Sequence, residues 1–154
     1  VHGALCYCYS GQCFMSSMLG GRSGNRGRCA GTCRLPFYLD GTKNTKNAYP
    51  LSLKDLCTIE HLPEILDHGV DSLKIEGRMK GSRYVGEVTR IYRKYVDLYL
   101  SEKPYKVESE DLKILMEVFN RGGFTGGYYK EYHGYETARS SGVICWEDQQ
   151  TYER

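Results

Sequence analysis

The sequence predicts an α/β fold built around a parallel sheet. Segments with apolar residues at every second position, typical of strands, alternate with segments whose apolar residues recur every three or four positions, typical of helices. The resulting order of strand, short helix, strand and long helix indicates βαβ units. A chain of 154 residues is also long enough to bury a hydrophobic core in one domain.

The first part of the chain is predicted to form short strands separated by irregular loops. Residues 1–9 alternate in character and indicate the first strand. Residues 20–31 contain five glycines, so we expect irregular backbone there. Further short strands are predicted at 35–39 and 50–53, and Cys57 is expected in the loop after the second of them.

A short helix, a strand and a long helix are expected next. Thr58 can cap the short helix, and Gly69 can end it in a left-handed conformation. Residues 71–75 are predicted to form a strand. The strongest helical pattern covers 83–100, with a row of valines and tyrosines on one face that we expect in the core. These residues are Val85, Val88, Tyr92, Tyr95 and Tyr99.

The alternation of strands and helices ends near residue 100. Residues 101–110 are predicted to form a charged link. A helix is expected to begin at Ser109, and a second glycine-rich loop follows at 120–128. We assign 101–154 to a charged link, a helix and the start of a following small domain.

Composition restricts the class of protein. The net charge is +2 and 40% of the residues are hydrophobic, so nucleic-acid binding would have to rest on local clusters of basic residues. No apolar run is long enough to span a bilayer, and the start lacks a signal peptide. A cytoplasmic location with reduced cysteines is expected. The sequence does not begin with methionine, and we expect a fragment of a longer protein.

Cysteines are concentrated near the start of the chain, where five of the seven lie between residues 2 and 34. Four cysteines stand at predicted strand ends or in loops, from which several sulfur atoms can point at one centre. These are Cys6, Cys13, Cys29 and Cys57. Four converging thiolates suit zinc or an iron–sulfur cluster, and the clustering favours a metal site over isolated buried thiols.

The remaining cysteines are interpreted one by one. Cys8 faces the opposite side of the predicted strand from Cys6, so it is expected in the core. Cys33 is close enough to Cys29 in the sequence to serve the same metal, and its role stays open. Cys145 is expected to be structural.

Two loops are candidate anion sites. Between Cys13 and Asp40 there are four arginines and no acidic residue, and glycine-rich backbone exposes N–H groups. RNA phosphate and a carboxylate metabolite both fit this chemistry. The candidate anion- or RNA-binding residues are Arg22, Asn25, Arg26, Arg28, Arg34, Lys74, Glu76 and Arg78. Glu76 is a candidate general base or the partner of a neighbouring arginine, and no catalytic residue is assigned.

Several motifs carry a family resemblance. They are HGALC followed by SGQC, then GGRSGNRGRCAGTCRLP, SLKDLC, and DSLKIEGRMK followed by YV. Over about residues 1–100 the chain resembles peptidase family U32, the collagenase-like peptidases of unknown catalytic type. The later FNRGGFTGGY is similar to longer members related to the ribosomal-RNA cytidine hydroxylase. Some members of this family are called proteases, and others hydroxylate tRNA uridine or 23S rRNA cytidine or take part in ubiquinone hydroxylation.

The resemblance implies a TIM-barrel-like domain of parallel βα units. Residues 1–100 would be its C-terminal part, and the N-terminal half of the barrel would be missing. The resemblance also implies a four-iron four-sulfur cluster and, in RNA hydroxylation, prephenate as a partner substrate. The matching cluster ligands are Cys6, Cys13, Cys29 and Cys57. Ala30-Gly31-Thr32 departs from the Ala-Gln-Pro that is usual in the family, which leaves the role of Cys33 open.

Three functions are compatible with the sequence. An iron–sulfur-dependent RNA hydroxylase is favoured, because thiolates can hold a redox centre while arginines bind RNA phosphate or prephenate carboxylates. A collagenase-like protease is the named alternative, although no HExxH, GxSxG or evident Cys–His pair is present. The third is a non-catalytic RNA-binding module with structural zinc.

Overall fold

The computed structural model is a mixed α/β chain with a small sheet and helices packed against it. It describes residues 1–6, 8–9, 12–37, 49, 51–127 and 129. The strands are β1 (His2–Ala4), β2 (Asp55–Cys57) and β3 (Phe124–Thr125), in the order β1-β2-β3. The helices are α1 (Met15–Gly20), α2 (Leu62–Asp67), α3 (Ser82–Leu100) and α4 (Ser109–Val118).

The sheet is mixed and not wholly parallel, so the predicted direction of one strand pair is wrong. β1 runs antiparallel to β2, with His2 opposite Cys57, whereas β2 runs parallel to β3. A parallel bridge also joins His2 to Ile75, at the end of the strand predicted for 71–75. Side-chain alternation identifies strands but carries no information on their direction. A parallel pair also needs a crossover, usually a helix, and α1 has only six residues.

The strands are shorter than predicted, and β2 is displaced from its expected position. β1 covers three residues of the predicted 1–9. β2 replaces the strand expected at 50–53, which places Cys57 in a strand and not in a loop. No strand forms at residues 35–37, and the rest of that predicted strand lies outside the described residues. β3 falls within the loop predicted at 120–128.

The predicted helices are confirmed with small shifts. The segment after Thr58 forms a 3-10 turn (Ile59–His61) and then α2, which has Pro63 near its start and ends before Gly69 at φ +72°. α3 begins at Ser82 and runs for 19 residues. In the glycine-rich segment, 3-10 turns form at Gly24–Arg26 and Thr32–Arg34. Among the described residues, no helix is both long and apolar enough to cross a membrane.

One face of α3 forms the core against the sheet, α2 and α4. Its buried residues are Tyr84, Val88, Ile91, Tyr92 and Tyr95. They pack with Ile59, Leu62 and Leu115. The predicted core residue Val85 is instead 48% exposed, because the buried stripe is centred on Val88 and Ile91. α4 and β3, which the sequence assigned to a following unit, join this core and sheet; the predicted boundary near residue 100 stays a prediction.

Asp111 anchors α4 to α3. Its Oδ2 atom accepts hydrogen bonds from Lys94 Nζ at 2.7 Å and from Tyr95 Oη at 2.8 Å, and the residue is 5% exposed. Burial raises the pKa of the Asp111 carboxyl, but these hydrogen bonds outweigh burial and hold the pKa below its ordinary value. The carboxylate therefore contributes stability at neutral pH that is lost as the pH falls through its folded-state pKa.

Asp111→Ala is expected to lower the free energy of unfolding by about 2–3 kcal/mol at pH 7, because it leaves Tyr95 Oη without an acceptor. Urea denaturation measures the change. The matched control is Asp97→Ala, which removes an exposed ion pair with Arg93 and should leave the free energy of unfolding almost unchanged. Equal losses for both variants would contradict the anchoring role.

Candidate metal centre and its surroundings

Arg34 fastens the end of the cysteine-rich segment to the sheet. Its guanidinium donates to the carbonyl oxygens of Leu5 and Leu53, each at 2.5 Å, and to Ser52 Oγ at 3.1 Å. Because Leu5 precedes Cys6 and Arg34 follows Cys33, these bonds bring Cys6 and Cys33 to the same end of β1. Arg34 was predicted to bind an external anion, but its guanidinium is engaged inside the chain.

Cys29 is fastened to α1 and carries hydrogen bonds at its sulfur. The backbone N–H of Ala30 donates to Ser16 Oγ at 3.1 Å, and that hydroxyl lies 3.8 Å from Cys29 Sγ. The N–H of Gly31 also donates to Cys29 Sγ at 3.3 Å. Cys13 stands two residues before α1, so the same helix positions Cys13 and Cys29. Hydrogen bonds to sulfur are typical of thiolates that hold an iron–sulfur cluster.

Cys33 lies within electrostatic reach of three other thiols. Burial raises the pKa of the Cys33 thiol, Arg34 lowers it, and Cys29, Cys6 and Cys13 each raise it further. Thiolates oppose one another's ionisation only where they are close. The charge of Cys33 is therefore coupled to three of the cysteines that the sequence predicted in the site.

Cys57 lies in β2, opposite His2 across the sheet. Its place in the predicted ligand set stays a prediction. The Cys57 thiol packs against the α3 face, with Sγ 3.8 Å from Tyr92 Oη, a hydroxyl that also donates to the Val1 carbonyl at 2.9 Å. Burial raises the pKa of this thiol.

No set of three or more His, Cys, Asp or Glu side chains in the described part of the chain is close enough to hold a metal ion as it stands. The predicted set of Cys6, Cys13, Cys29 and Cys57 is therefore not assembled. The chemistry of Cys6, Cys13, Cys29 and Cys33 nevertheless fits an iron–sulfur cluster, because all four thiols stand in loops or turns and Cys29 Sγ already accepts hydrogen bonds. Binding would have to draw these sulfurs together.

The arginines of the glycine-rich loop lie beside the thiols and face solvent. Arg22, Arg26 and Arg28 are exposed, as is Asn25. Over the residues that the structure describes, the three guanidiniums form no hydrogen bond or ion pair. Anion binding by these arginines stays a prediction.

The loop after Ile75 reaches the arginine-rich loop through Arg78. Arg78 Nη2 donates to the Gly27 carbonyl at 2.6 Å. Glu76 is turned back on its own loop, where Oε1 accepts from the Arg78 N–H at 3.1 Å. Lys74 is exposed, and its carbonyl accepts from the Val1 amino group. Arg78 thus joins the two loops, and Glu76 braces the backbone of Arg78.

A buried polar cluster between the sheet and α3 was missed by the sequence analysis. His2 and Asp55 are each 2% exposed and share one sheet face. Asp55 Oδ1 pairs with Arg121 Nη1 at 2.5 Å, while Asp55 Oδ2 and His2 Nε2 have no partner among the described atoms. The His2 ring packs on Tyr92 and Phe124. Two features of the sequence could have indicated this cluster: an Asp next to apolar residues at position 55, and an Arg in a glycine-rich loop at position 121.

Burial of His2 predicts a stability loss in mild acid. Burial, and then the positive charge of the Val1 amino group, lowers the pKa of His2 to about 4. In the unfolded chain His2 binds a proton near pH 6.5. The contribution of neutral His2 to the free energy of unfolding is therefore fully present above about pH 6.5, and up to about 3 kcal/mol is lost as the pH falls toward 4.

Urea denaturation between pH 7 and pH 4 measures this loss. His2→Gln should flatten the dependence over that interval. His68→Gln, at an exposed histidine, should leave it unchanged. A wild-type profile that is flat between these pH values would contradict the assignment.

Comparison with known proteins identifies relatives along almost the whole chain. The model of peptidase family U32 matches residues 1–139. The chain is 44% identical to an uncharacterized protease of Methanocaldococcus jannaschii over 85% of this chain and 34% of the relative. It is 36% identical to a tRNA hydroxylation protein of Bacillus subtilis, over 88% of this chain and 34% of the relative.

A third relative is named for ribosomal RNA. The chain is 43% identical to a 23S rRNA 5-hydroxycytidine synthase of Escherichia coli, over 67% of this chain and 16% of that protein. No solved structure matches the chain. The chain thus spans about a third or less of the length of these relatives. The match over residues 1–139 confirms the resemblance seen in the motifs: the chain belongs to peptidase family U32.

Proposed function

We propose that this chain is the thiol-bearing part of an iron–sulfur-dependent RNA hydroxylase, with Cys6, Cys13, Cys29 and Cys33 as the ligands of a four-iron four-sulfur cluster. The observation that carries the proposal is two sets of hydrogen bonds, one made by Arg34 and the other by Ser16. Arg34 joins the segments of Cys6 and Cys33, and Ser16 joins those of Cys13 and Cys29. Arginines without a partner among the described residues stand on the same segment.

We choose Cys33 and not Cys57 as the fourth cluster ligand because of the positions and surroundings of the two cysteines. Cys57 belongs to a strand in the core, and its sulfur lies 3.8 Å from Tyr92 Oη on α3. Cys33 belongs to a 3-10 turn that contacts α1, the helix that positions Cys13 and Cys29. Four thiolates from loops and turns suit a cluster, and zinc stays the alternative metal.

The bound cluster would supply one-electron or substrate-activating chemistry at this edge of the chain. The protein's own groups have separate tasks. The Gly31 N–H and the Ser16 hydroxyl stabilise negative charge on Cys29 Sγ. Arg22, Arg26 and Arg28 bind the phosphates of RNA or the carboxylates of prephenate. Arg78 holds their loop in place through Gly27.

RNA is favoured as substrate class by the names of two relatives together with these arginines. Both relatives are named for RNA hydroxylation, one for tRNA and one for 23S rRNA. Prephenate and a TIM-barrel environment rest on the family resemblance. The residues of this chain supply a positive surface with which either RNA or prephenate is compatible.

A protease is the second candidate, because three relatives carry protease or collagenase names. A cysteine protease needs a cysteine close to a histidine. Among the described residues, Cys57 and His61 line one cavity of ≈ 120 Å³. This cavity is smaller than the roughly 300 Å³ at which ligand pockets begin. Burial also raises the pKa of Cys57, which disfavours the nucleophilic thiolate.

Mass spectrometry of nucleosides tests the proposal. RNA from a strain lacking the complete protein is compared with RNA from the same strain complemented by wild type or by Cys29→Ser. Loss of one hydroxylated pyrimidine, restored by wild type alone, is expected. An unchanged nucleoside profile would overturn hydroxylation and favour a binding module with zinc. Casein or gelatin cleavage that survives Cys29→Ser would favour the protease.

A further inference from the structure

Two aromatic side chains next to the thiol segment are exposed to solvent. Tyr9 is 84% exposed and Phe14 is 63% exposed. Phe14 directly follows Cys13 and precedes α1. The Gln12 N–H donates to the Tyr9 carbonyl at 3.1 Å, and this bond holds Tyr9 near Cys13. Both rings therefore stand beside a proposed cluster ligand.

Positive charge lies on the same segment. Residues 1–39 contain no Asp or Glu. Arg22 is packed back on α1, because its N–H donates to the Ser16 carbonyl and its carbonyl accepts from Ser17 Oγ. α1 has six residues and is about 9 Å long, so Phe14 and Arg22 stand at its two ends. Exposed rings thus stand at one end of α1 and exposed arginines at and beyond its other end.

We propose that Tyr9 and Phe14 stack on bases of single-stranded RNA and, with Arg22, Arg26 and Arg28 on the phosphates, place the target nucleotide beside the thiol cluster. This inference rests on the proposed function and adds two residues to it. Aromatic faces with neighbouring arginines are the usual surface for single strands, because every base has a face that stacks. Unpaired loop bases are also the usual targets of RNA recognition.

A protein partner fits this surface less well. Burying three guanidiniums that have no partner in the described part of the chain against an apolar protein would leave their charges without compensation. A polyanion instead neutralises the guanidiniums while its bases cover the rings. Met18, which is 83% exposed on α1, supplies the internal comparison, because it is apolar but has no ring.

The test measures RNA affinity and cluster content together in the complete protein, prepared without oxygen. The probe is a labelled single-stranded RNA of about 12 nucleotides and mixed sequence, followed by fluorescence anisotropy. Tyr9→Leu and Phe14→Leu should each raise the Kd about 5-fold or more, whereas Phe14→Tyr should change it less than about 2-fold. Absorbance near about 400 nm should stay as in wild type.

Controls separate the competing explanations. Met18→Ala should leave the Kd within about 2-fold of wild type, since it removes apolar area but no stacking face. Unchanged affinity in both leucine variants, with weakened affinity in Arg26→Gln, would overturn stacking while RNA binding stands. A lower melting temperature for Phe14→Leu and Met18→Ala, at unchanged Kd, would also overturn it and point to packing within the protein. If wild type itself fails to bind RNA, the proposed function fails as well.

Discussion

Gly3→Ala is expected to lower the free energy of unfolding by about 4 kcal/mol or more, because the close approach of β1 to its neighbours leaves no room for a side chain. Gly3 has φ +118°, a conformation that side chains rarely adopt, and a Cβ atom there would lie 2.3 Å from the Glu76 carbonyl oxygen. That oxygen already accepts a hydrogen bond from Tyr84 Oη at 2.9 Å. The new methyl group would therefore separate β1 from the segment at Ile75 and from α3.

The matched control is Gly86→Ala. Gly86 lies inside α3, and its Cβ atom would have no neighbour within 4 Å. Alanine is favoured over glycine in a helix by up to about 1 kcal/mol, so this variant should be slightly more stable than wild type. Thermal and urea denaturation compare the two. A Gly3→Ala protein of near wild-type stability would show that β1 does not approach Glu76 as described.

Cys33→Ser is expected to remove most of the visible absorbance of the anaerobic protein, whereas Cys57→Ser should retain it. The difference follows from position: the charge of Cys33 is coupled to three thiols, and Cys57 Sγ lies 3.8 Å from Tyr92 Oη in the core. Serine at position 57 can keep that contact, so the fold should survive. Loss of one of four ligands leaves an iron site open and exposes the cluster to decomposition.

Absorbance near about 400 nm, with iron determined on the same samples, measures both variants. Cys29→Ser is the positive control, because Cys29 belongs to the site in every version of the ligand set. Retention in Cys33→Ser together with loss in Cys57→Ser would restore the ligand set implied by the family resemblance. It would also show that the segment around β2 rearranges when the cluster binds.

The helices of this chain could be predicted from the sequence, but the pairing of its strands could not. α3 and α4 carry apolar residues at helical spacing, a local signal that fixes the element without reference to the rest of the chain. The direction of β1 against β2 depends on the course of the long segment that joins them. β3 has two residues and lies among glycines, so neither length nor pattern marks it.

In the candidate site, too, features that are local in sequence could be predicted and features that depend on tertiary structure could not. Clustering predicted the thiols of the first segment and the exposed arginines, because both features are local in sequence. The choice between Cys33 and Cys57 depended on whether Cys57 lies in a loop or a strand. The pairing of Asp55 with Arg121 joins residues 66 positions apart, and no local pattern predicts it. Arg34 was assigned to an anion because sequence does not reveal bonds to backbone carbonyls.

The central claim is that four thiols hold an iron–sulfur cluster, and elemental analysis of the complete protein tests it most directly. Iron, zinc and acid-labile sulfide are measured per chain after purification without oxygen. We expect about four iron and four sulfide atoms per chain and no zinc. One zinc atom per chain without sulfide, or no metal at all, would contradict it.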